Sequence, residues 1–229
     1  MYKDRTFLAI IPARGGSKRL PKKNLLSLSG KPLISYTIDA AKKVNSIDKI
    51  IVTSDNIEIL EISKKAKIEV IQRPVELAND SSTTFDVVRH TIENLKKTYD
   101  YIILLQPTSP LRDETHINEA IKLLETKKAD AIISVCKIDH SPLWSNTLDK
   151  NLSMNSFLKD GILNKRSQEL EEYYSLNGAI YICKTEKLLE KKSFFLEKKI
   201  FAYKMDKKSS IDIDTKLDFL IAQTILENY

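Results

Sequence analysis

The sequence is short of the residues that build turns, staples and membrane spans. Only 5 of its 229 residues are glycine, 7 are proline, 2 are cysteine and 1 is tryptophan. So little glycine and proline, beside 42% hydrophobic residues, excludes collagen-like, low-complexity and disordered chains. Cys136 and Cys183 sit singly in apolar runs without C-x-x-C spacing, which excludes a disulfide framework and reads as two reduced core thiols of a cytoplasmic protein. No apolar run approaches the roughly 20 residues of a membrane span. The run Phe7–Ile11 is too short for the core of a signal peptide, and Arg14 soon follows it. The three histidines, His90, His116 and His140, are isolated, with no H-E-x-x-H or zinc spacing. No G-x-S-x-G elbow or Cys–His constellation is present either.

What remains is a chain of the size of one domain with a basic excess, 37 Lys+Arg against 31 Asp+Glu, net +6. The lysines are spread along predicted helical faces, as in Lys42-Lys43, Lys96-Lys97, Lys127-Lys128 and Lys191-Lys192. That scatter suits solvated faces and last helical turns, not a nucleic-acid stripe, so no nucleic-acid or membrane partner is expected.

Short β-branched runs alternate with amphipathic stretches. Strands are predicted at 7–12, 49–53, 69–72, 101–105, 131–135, 178–183 and 200–205. Helices are predicted at 32–44, 57–66, 84–97, 114–127, 185–192 and 215–228, the last carrying Leu217, Leu220, Ile221, Thr224 and Ile225 on one face. Continuous apolar strands such as Ile102–Leu105 indicate burial on both faces. The expected fold is therefore α/β, a doubly wound, mostly parallel sheet over residues 1–229, with ligands beyond the carboxyl ends of its strands. The pattern breaks at 139–176, which is expected to be an insertion that covers the site or contacts a second subunit.

Two segments stand out chemically. Pro12-Ala13-Arg14-Gly15-Gly16-Ser17-Lys18-Arg19-Leu20-Pro21-Lys22-Lys23-Asn24 follows the first strand and holds two of the five glycines beside five cations. Adjacent glycines let backbone N–H groups approach phosphate oxygens, and Arg14, Lys18 and Lys23 would neutralise a polyphosphate. It is neither a Walker A loop nor a G-x-G-x-x-G fingerprint. In Ser210-Ile211-Asp212-Ile213-Asp214-Thr215, residues two apart share a face, so Asp212 and Asp214 form a carboxylate pair suited to Mg²⁺ beside phosphates. Thr215-x-x-Asp218 and Thr83-x-x-Asp86 read as capping boxes. Gln106, after the most apolar strand, suits a nucleobase edge or a sugar, and Arg73 closes the third strand as a pocket residue.

These motifs, together with Arg73-Pro74-x-Glu76-Leu77-Ala78, Gln106-Pro107-Thr108-Ser109-Pro110-Leu111-Arg112 and Asn177-Gly178-Ala179-Ile180-Tyr181, resemble those of the acylneuraminate cytidylyltransferases, in the same order over nearly the whole chain. The resemblance implies transfer of CMP from CTP to the anomeric oxygen of a nine-carbon 2-keto sugar acid, with release of pyrophosphate and dependence on Mg²⁺. It places Arg14, Gly15, Gly16, Ser17, Lys18 and Lys23 around the CTP phosphates, Arg14 and Lys23 being catalytic with Asp212 and Asp214. Asn24, Arg73, Ser82 and Thr84 would surround cytosine and ribose, and Gln106 and Asn177 the sugar. Asp212 and Asp214 would hold Mg²⁺, and the 139–176 insertion would make a homodimer.

Two positions depart from the family. An arginine that pairs with the sugar carboxylate is replaced by Ser175, and a lysine of the His-x-Pro-Leu-x element by Trp144. Losing a charged partner for a carboxylate costs about 1.5–3 kcal/mol unless another cation serves, and Arg166 or Lys165 is expected in that role. N-acetylneuraminic, legionaminic and pseudaminic acids are all open as substrates. Transfer to another sugar acid or sugar phosphate, or a non-catalytic sugar-nucleotide-binding module, are the alternatives; both aspartates argue against the module.

Overall fold

Along the first strand, β1 (Phe7–Pro12), successive side chains leave by opposite faces, and both faces are apolar. Phe7, Ala9 and Ile11 enter one core while Leu8 and Ile10 enter a second, so the strand needs helices on each side. The computed structural model describes residues 4–79 and 81–228; Asp80 of the 73–84 segment lies outside them. In chain order, a short hairpin, β2 (Ser27–Leu28) and β3 (Lys31–Pro32), leads into α1 (Leu33–Lys42). Then come β4 (Lys49–Ser54), α2 (Ile57–Lys65), β5 (Glu69–Gln72), α3 (Thr84–Glu93), β6 (Tyr101–Leu104) and α4 (Glu114–Thr126). The remainder is β7 (Ala131–Lys137), β8 (Tyr174–Lys184), α5 (Thr185–Lys191), β9 (Ile200–Met205) and α6 (Lys216–Asn228).

The main sheet has seven strands in the order β5-β4-β1-β6-β8-β7-β9. Every pairing is parallel except the two made by β8. Helices α1, α2 and α4 pack on one face and α3 and α5 on the other. The chain winds outward from β1 to β5 and then returns to the opposite side of β1 at β6, so the topological switch point lies between β1 and β6. The expected doubly wound, mostly parallel sheet is what forms. No helix among the described residues is long and apolar enough to cross a membrane.

Three local expectations are corrected. Helix α3 ends at Glu93 and not at Lys97, because Asn94 closes it, its side-chain amide donating to His90 O. Strand β8 begins at Tyr174 and not at Gly178, so the last three residues of the expected insertion belong to the sheet. Helix α6 turns its Leu217–Leu220–Ile221 stripe outward. It buries Phe219 and Ala222 instead, against Leu20, Leu28, Leu33 and Ile213. That third cluster ties the loop after β1 to the segment before α6, the two chemically unusual stretches of the sequence.

Candidate active site

The loop after β1 is held in shape by polar contacts its own sequence supplies. Gly15 N–H donates to Asp55 Oδ1 at 2.9 Å. A Cβ on Gly15 would stand 2.7 Å from Asn56 Cβ, so only glycine lets the loop lie against the capping residue of α2. At Gly16 the same atom would meet open space. Asn24, buried in a 3-10 turn at Lys23–Leu25, donates to Arg14 O at 3.0 Å. Lys23 Nζ reaches across the fold to Ile213 O at 2.6 Å and Asp214 Oδ1 at 2.8 Å, and Arg19 Nη1 meets Asp214 Oδ2 at 3.0 Å. Arg14, Ser17, Lys18, Arg19, Lys23, Asn24 and Asp214 thus line one hollow of about 240 Å³. Lys23 and then Arg19 hold the Asp214 carboxyl below the usual range.

This hollow adjoins a crevice of about 330 Å³ at the switch point, lined among others by Arg14, Lys23, Asn24, Arg73, Ser82, Thr84 and Gln106. Arg73 is only 5% exposed, and its Nε and Nη2 make no hydrogen bond among the described residues. It faces the Asp55 carboxylate, with Nη2 3.6 Å from Oδ1. Burial, then the nearby Arg14 charge, pull its pKa down, while Asp55 opposes them. Asp55 therefore braces both the phosphate-type loop and the buried arginine, a role no motif announced. Ser82 Oγ donates to Glu76 O at 2.8 Å, Leu77, Ala78, Asn79 and Ser82 line the crevice wall, and the Thr83–Asp86 capping box starts α3 as expected.

Asp212 stands beyond the far wall. Its Oδ2 lies 3.8 Å from where a Cβ on Gly178 would be, and Gln106 Oε1 lies 3.4 Å from the same point. Those are ordinary contact distances, and glycine is favoured there because its φ is +72°. Asp212 is open to solvent on one side, yet crowding by protein atoms raises its pKa; the Thr108 hydroxyl opposes this, and Asp214 and Asp218 add to it. The described residues hold no ready-made cluster of three metal-ligating side chains, so a hard cation here would need Asp212 and Asp214 together with oxygens of a bound ligand. Behind Gln106, the 1% exposed Arg112 donates to Thr37 Oγ1 at 2.7 Å and to Gln106 O at 3.4 Å, tying this turn to α1.

A third hollow of about 270 Å³ opens past Gln106, Thr83 and Thr84, walled by Phe85, Tyr181, Phe194 and Phe195 with Lys192 at its edge. Tyr181 packs edge-on against both Phe194 and Phe195, at 5.7 and 6.4 Å. Of these aromatics only Tyr181 belongs to a motif singled out in the sequence, at the end of Asn177–Tyr181. Two expected sugar-side residues are placed elsewhere. Arg166 lines a separate hollow of about 690 Å³ at the base of the insertion, with Lys137, Asp139 and Glu172. Ser175 lies on exposed β8, paired with Cys136. Asn177 is 6% exposed, with its amide spent on internal hydrogen bonds.

With the crevice in view, comparison with known proteins is decisive. The cytidylyltransferase family model matches residues 8–227. The chain belongs to the cytidylyltransferase family. It is 40% identical over 219 residues to an N-acylneuraminate cytidylyltransferase of Escherichia coli, covering 95% of this chain and 51% of that protein. It therefore spans about half the length of that relative. A CMP-N,N'-diacetyllegionaminic acid synthase of Legionella pneumophila is 35% identical, with 96% of each chain covered. In fold, this chain is similar to a CMP-2-keto-3-deoxy-manno-octonic acid synthetase solved with CTP, at TM-score 0.73 and 17% identity over 97% of this chain and 98% of that one.

Proposed function

We propose that this chain transfers CMP from CTP to the anomeric oxygen of a nine-carbon 2-keto sugar acid and releases pyrophosphate. The observation that carries this is the order of the three hollows. A cationic one holding Asp214 leads to the switch-point crevice, which leads past Gln106 to an aromatic one. Triphosphate, nucleoside and sugar acid fit that order, and relatives named for N-acylneuraminate and for diacetyllegionaminic acid support the acceptor class.

Arg14, Lys18 and Lys23 neutralise the triphosphate, with Ser17 and the two glycines at its edge, while Arg14 and Lys23 absorb charge that builds as the leaving pyrophosphate departs. Arg73 offers its free N–H groups to the nucleotide, and Asn24, Ser82 and Thr84 complete that wall. Gln106 orients the sugar so that its anomeric hydroxyl faces the α-phosphate in line. The apolar faces of Tyr181, Phe194 and Phe195 suit acyl methyl groups on the sugar. Asp212 and Asp214 would hold Mg²⁺, which supplies Lewis acidity at the phosphate oxygens when bound. Asp214 has cation partners now, Lys23 and Arg19, which the arriving phosphates would draw away.

The 139–176 insertion is proposed to join two copies. It exposes Leu148, Leu152, Met154 and Leu163, an apolar set without a partner element in one protomer. Arg166 and Lys165 lie on the same insertion, so the second copy is the route by which such a cation would meet the carboxylate that Ser175 cannot. The site of action is proposed to be the cytoplasm.

The test offers CTP, ATP, GTP or UTP with Mg²⁺ and a panel of 2-keto-3-deoxy sugar acids, following pyrophosphate release. CTP with a nine-carbon acid is expected to be preferred. Preference for another nucleotide, or silence with every acid, refutes the proposal. Ser175→Arg is expected to tighten binding of the sugar acid.

A further inference from the structure

Strand β8 does not run straight past β7. The register passes from Ile133–Tyr181 to Val135–Leu176, so residues 177–180 of β8 face the single residue Ser134. A bulge of this size strands backbone groups, and two buried side chains take them up. Ser134 Oγ accepts from Ile180 N–H at 2.8 Å and donates to Asn177 Oδ1 at 2.6 Å. Asn177 Oδ1 also accepts from Ala179 N–H at 3.3 Å, and its Nδ2 donates to Ser210 Oγ at 2.9 Å. Ser210 in turn donates to Asp206 O at 2.5 Å.

The direction of every proton in this chain is determined. Backbone N–H groups can only donate, so Asn177 must present its oxygen to Ala179, and Ser134 must aim its proton at Asn177. A carbonyl can only accept, so Ser210 spends its proton on Asp206 and has lone pairs alone for Asn177. The chain starts in the bulge that carries Gly178 and ends two residues before Asp212. At the other end of the same turn, Ile213 N–H is held by Thr108 O at 2.8 Å and Ile213 O by Lys23.

We propose that Asn177 is a positioning residue. With Ser134 it splints the β8 bulge to the 210–214 turn, so that Asp212 stands against Gly178 and Gln106, and it touches neither sugar nor nucleotide. The inference rests on the proposed role of Asp212 in CMP transfer, and it differs from the sugar contact the motif implies for Asn177. Residue shape and proton sense both matter to the splint. Asn177→Asp keeps the shape but sets a second acceptor against the lone pairs of Ser210.

The experiment compares wild type, Asn177→Asp and Ser210→Ala in the full chain. The first reading is steady-state pyrophosphate release, with CTP and sugar acid varied in turn. The second is hydrogen exchange of residues 208–214 without ligands. The third is Mn²⁺ binding in the presence of CTP, followed by electron paramagnetic resonance. Asn177→Asp is expected to lower kcat roughly 100-fold, as misplacement of a reacting group by about 1 Å does. The KM for the sugar acid should stay within about twofold, the pattern of an interaction not made with the ground-state substrate. Exchange at 208–214 should quicken and Mn²⁺ binding weaken. Ser210→Ala, at a half-buried position, should shift all readings the same way by less, and it carries the test if Asn177→Asp does not fold. A raised KM for the sugar acid with kcat unchanged would show that Asn177 touches the sugar and overturn the proposal. Unchanged exchange at 208–214 would overturn it as well. Exchange needs no substrate, so it tests the splint separately from the proposed activity, which wild-type silence with CTP would refute alone.

Discussion

Lys23 is the residue through which the phosphate loop and the carboxylate turn hold each other, and replacing it by methionine isolates that link. Methionine keeps most of the apolar stem, so the change removes the ammonium and little packing. Two interactions go. One is the charged hydrogen bond to Ile213 O, made by a side chain that is 12% exposed to the carbonyl of a fully buried residue. Hydrogen bonds to charged groups contribute about 1.5–3 kcal/mol. The second is the ion pair with Asp214, whose side chain is half exposed and retains Arg19, so it adds at most about 1 kcal/mol. The sum, about 1.5–4 kcal/mol, should lower the melting temperature by roughly 3–16 °C in a domain of this size. Differential scanning calorimetry at neutral pH and low salt measures it. Pyrophosphate-release kinetics on the same sample should show a CTP KM raised roughly tenfold or more, because the phosphates lose a cation. A fall below about 2 °C with an unchanged CTP KM would mean that the link neither stabilises the fold nor meets the nucleotide.

Gly15→Ala drives a Cβ to 2.7 Å from Asn56 Cβ, a contact that must be relieved by moving the loop or the start of α2. Such overpacking costs about 1–3 kcal/mol, seen as a melting-temperature fall of about 3–9 °C, whereas Gly16→Ala, facing open space, should leave thermal stability within about 1 °C. Burial pushes the Cys183 thiol up to about 12, so in the folded protein it stays protonated and unlabelled by a thiol reagent at pH 9, and is labelled once urea unfolds the chain. Because that shift is upward, the unfolded state gains by ionising its thiol above about pH 8.5, so Cys183 should weaken stability progressively from there towards pH 12, an effect absent from Cys183→Ala in alkaline melts. Asp212→Asn relieves the crowding that raises its carboxyl, so it should melt no lower than wild type at pH 7 while losing nearly all pyrophosphate release at saturating Mg²⁺. Near-normal turnover would remove Asp212 from the chemistry.

The two ends of the site differ in how well sequence disclosed them. Arg14–Asn24 and Asp212–Asp214 were legible because charge and glycine are out of place there. A basic, glycine-paired run follows an apolar strand, and two aspartates interrupt isoleucines, so packing alone cannot account for them. Asp55 was invisible, since one aspartate after a strand is an ordinary turn residue. Its importance comes only when β4 and β1 pair and bring it to Gly15. Phe194 and Phe195, which join the motif residue Tyr181 in the wall, were hidden for the opposite reason. An aromatic in an apolar run reads as core, and only the packing of α5 and its following turn against β8 leaves one side of the cluster open. Helix α6 shows the limit of periodicity. Its longer apolar stripe contains Leu217, Leu220 and Ile221, but the groove above Leu28 and Leu33 accepts a phenylalanine and an alanine, and the fit of Phe219 and Ala222 decided which face went in.

The arrangement of charge also bears on why the proposed nucleotide and the proposed metal would belong together. Around the two connected hollows stand five cations, Arg14, Lys18, Arg19, Lys23 and Arg73, and three carboxylates, Asp55, Asp212 and Asp214. Without a ligand, the carboxylates keep those cations from repelling one another: Asp55 faces Arg73, and Asp214 holds Lys23 and Arg19. Asp212 alone has no such partner in this set, and it is the one whose carboxyl is raised. A bare triphosphate would draw Lys23 and Arg19 from Asp214 and leave two carboxylates facing its oxygens. A divalent cation arriving alone would find Asp214 already neutralised. In the proposed function only the pair, a polyphosphate with its cation, would satisfy the lysine, the arginine and both aspartates at once. The residues proposed to hold the triphosphate would then also set a requirement for the metal, and Lys23, bonded to Ile213 and Asp214 from the loop after β1, is where the two would meet.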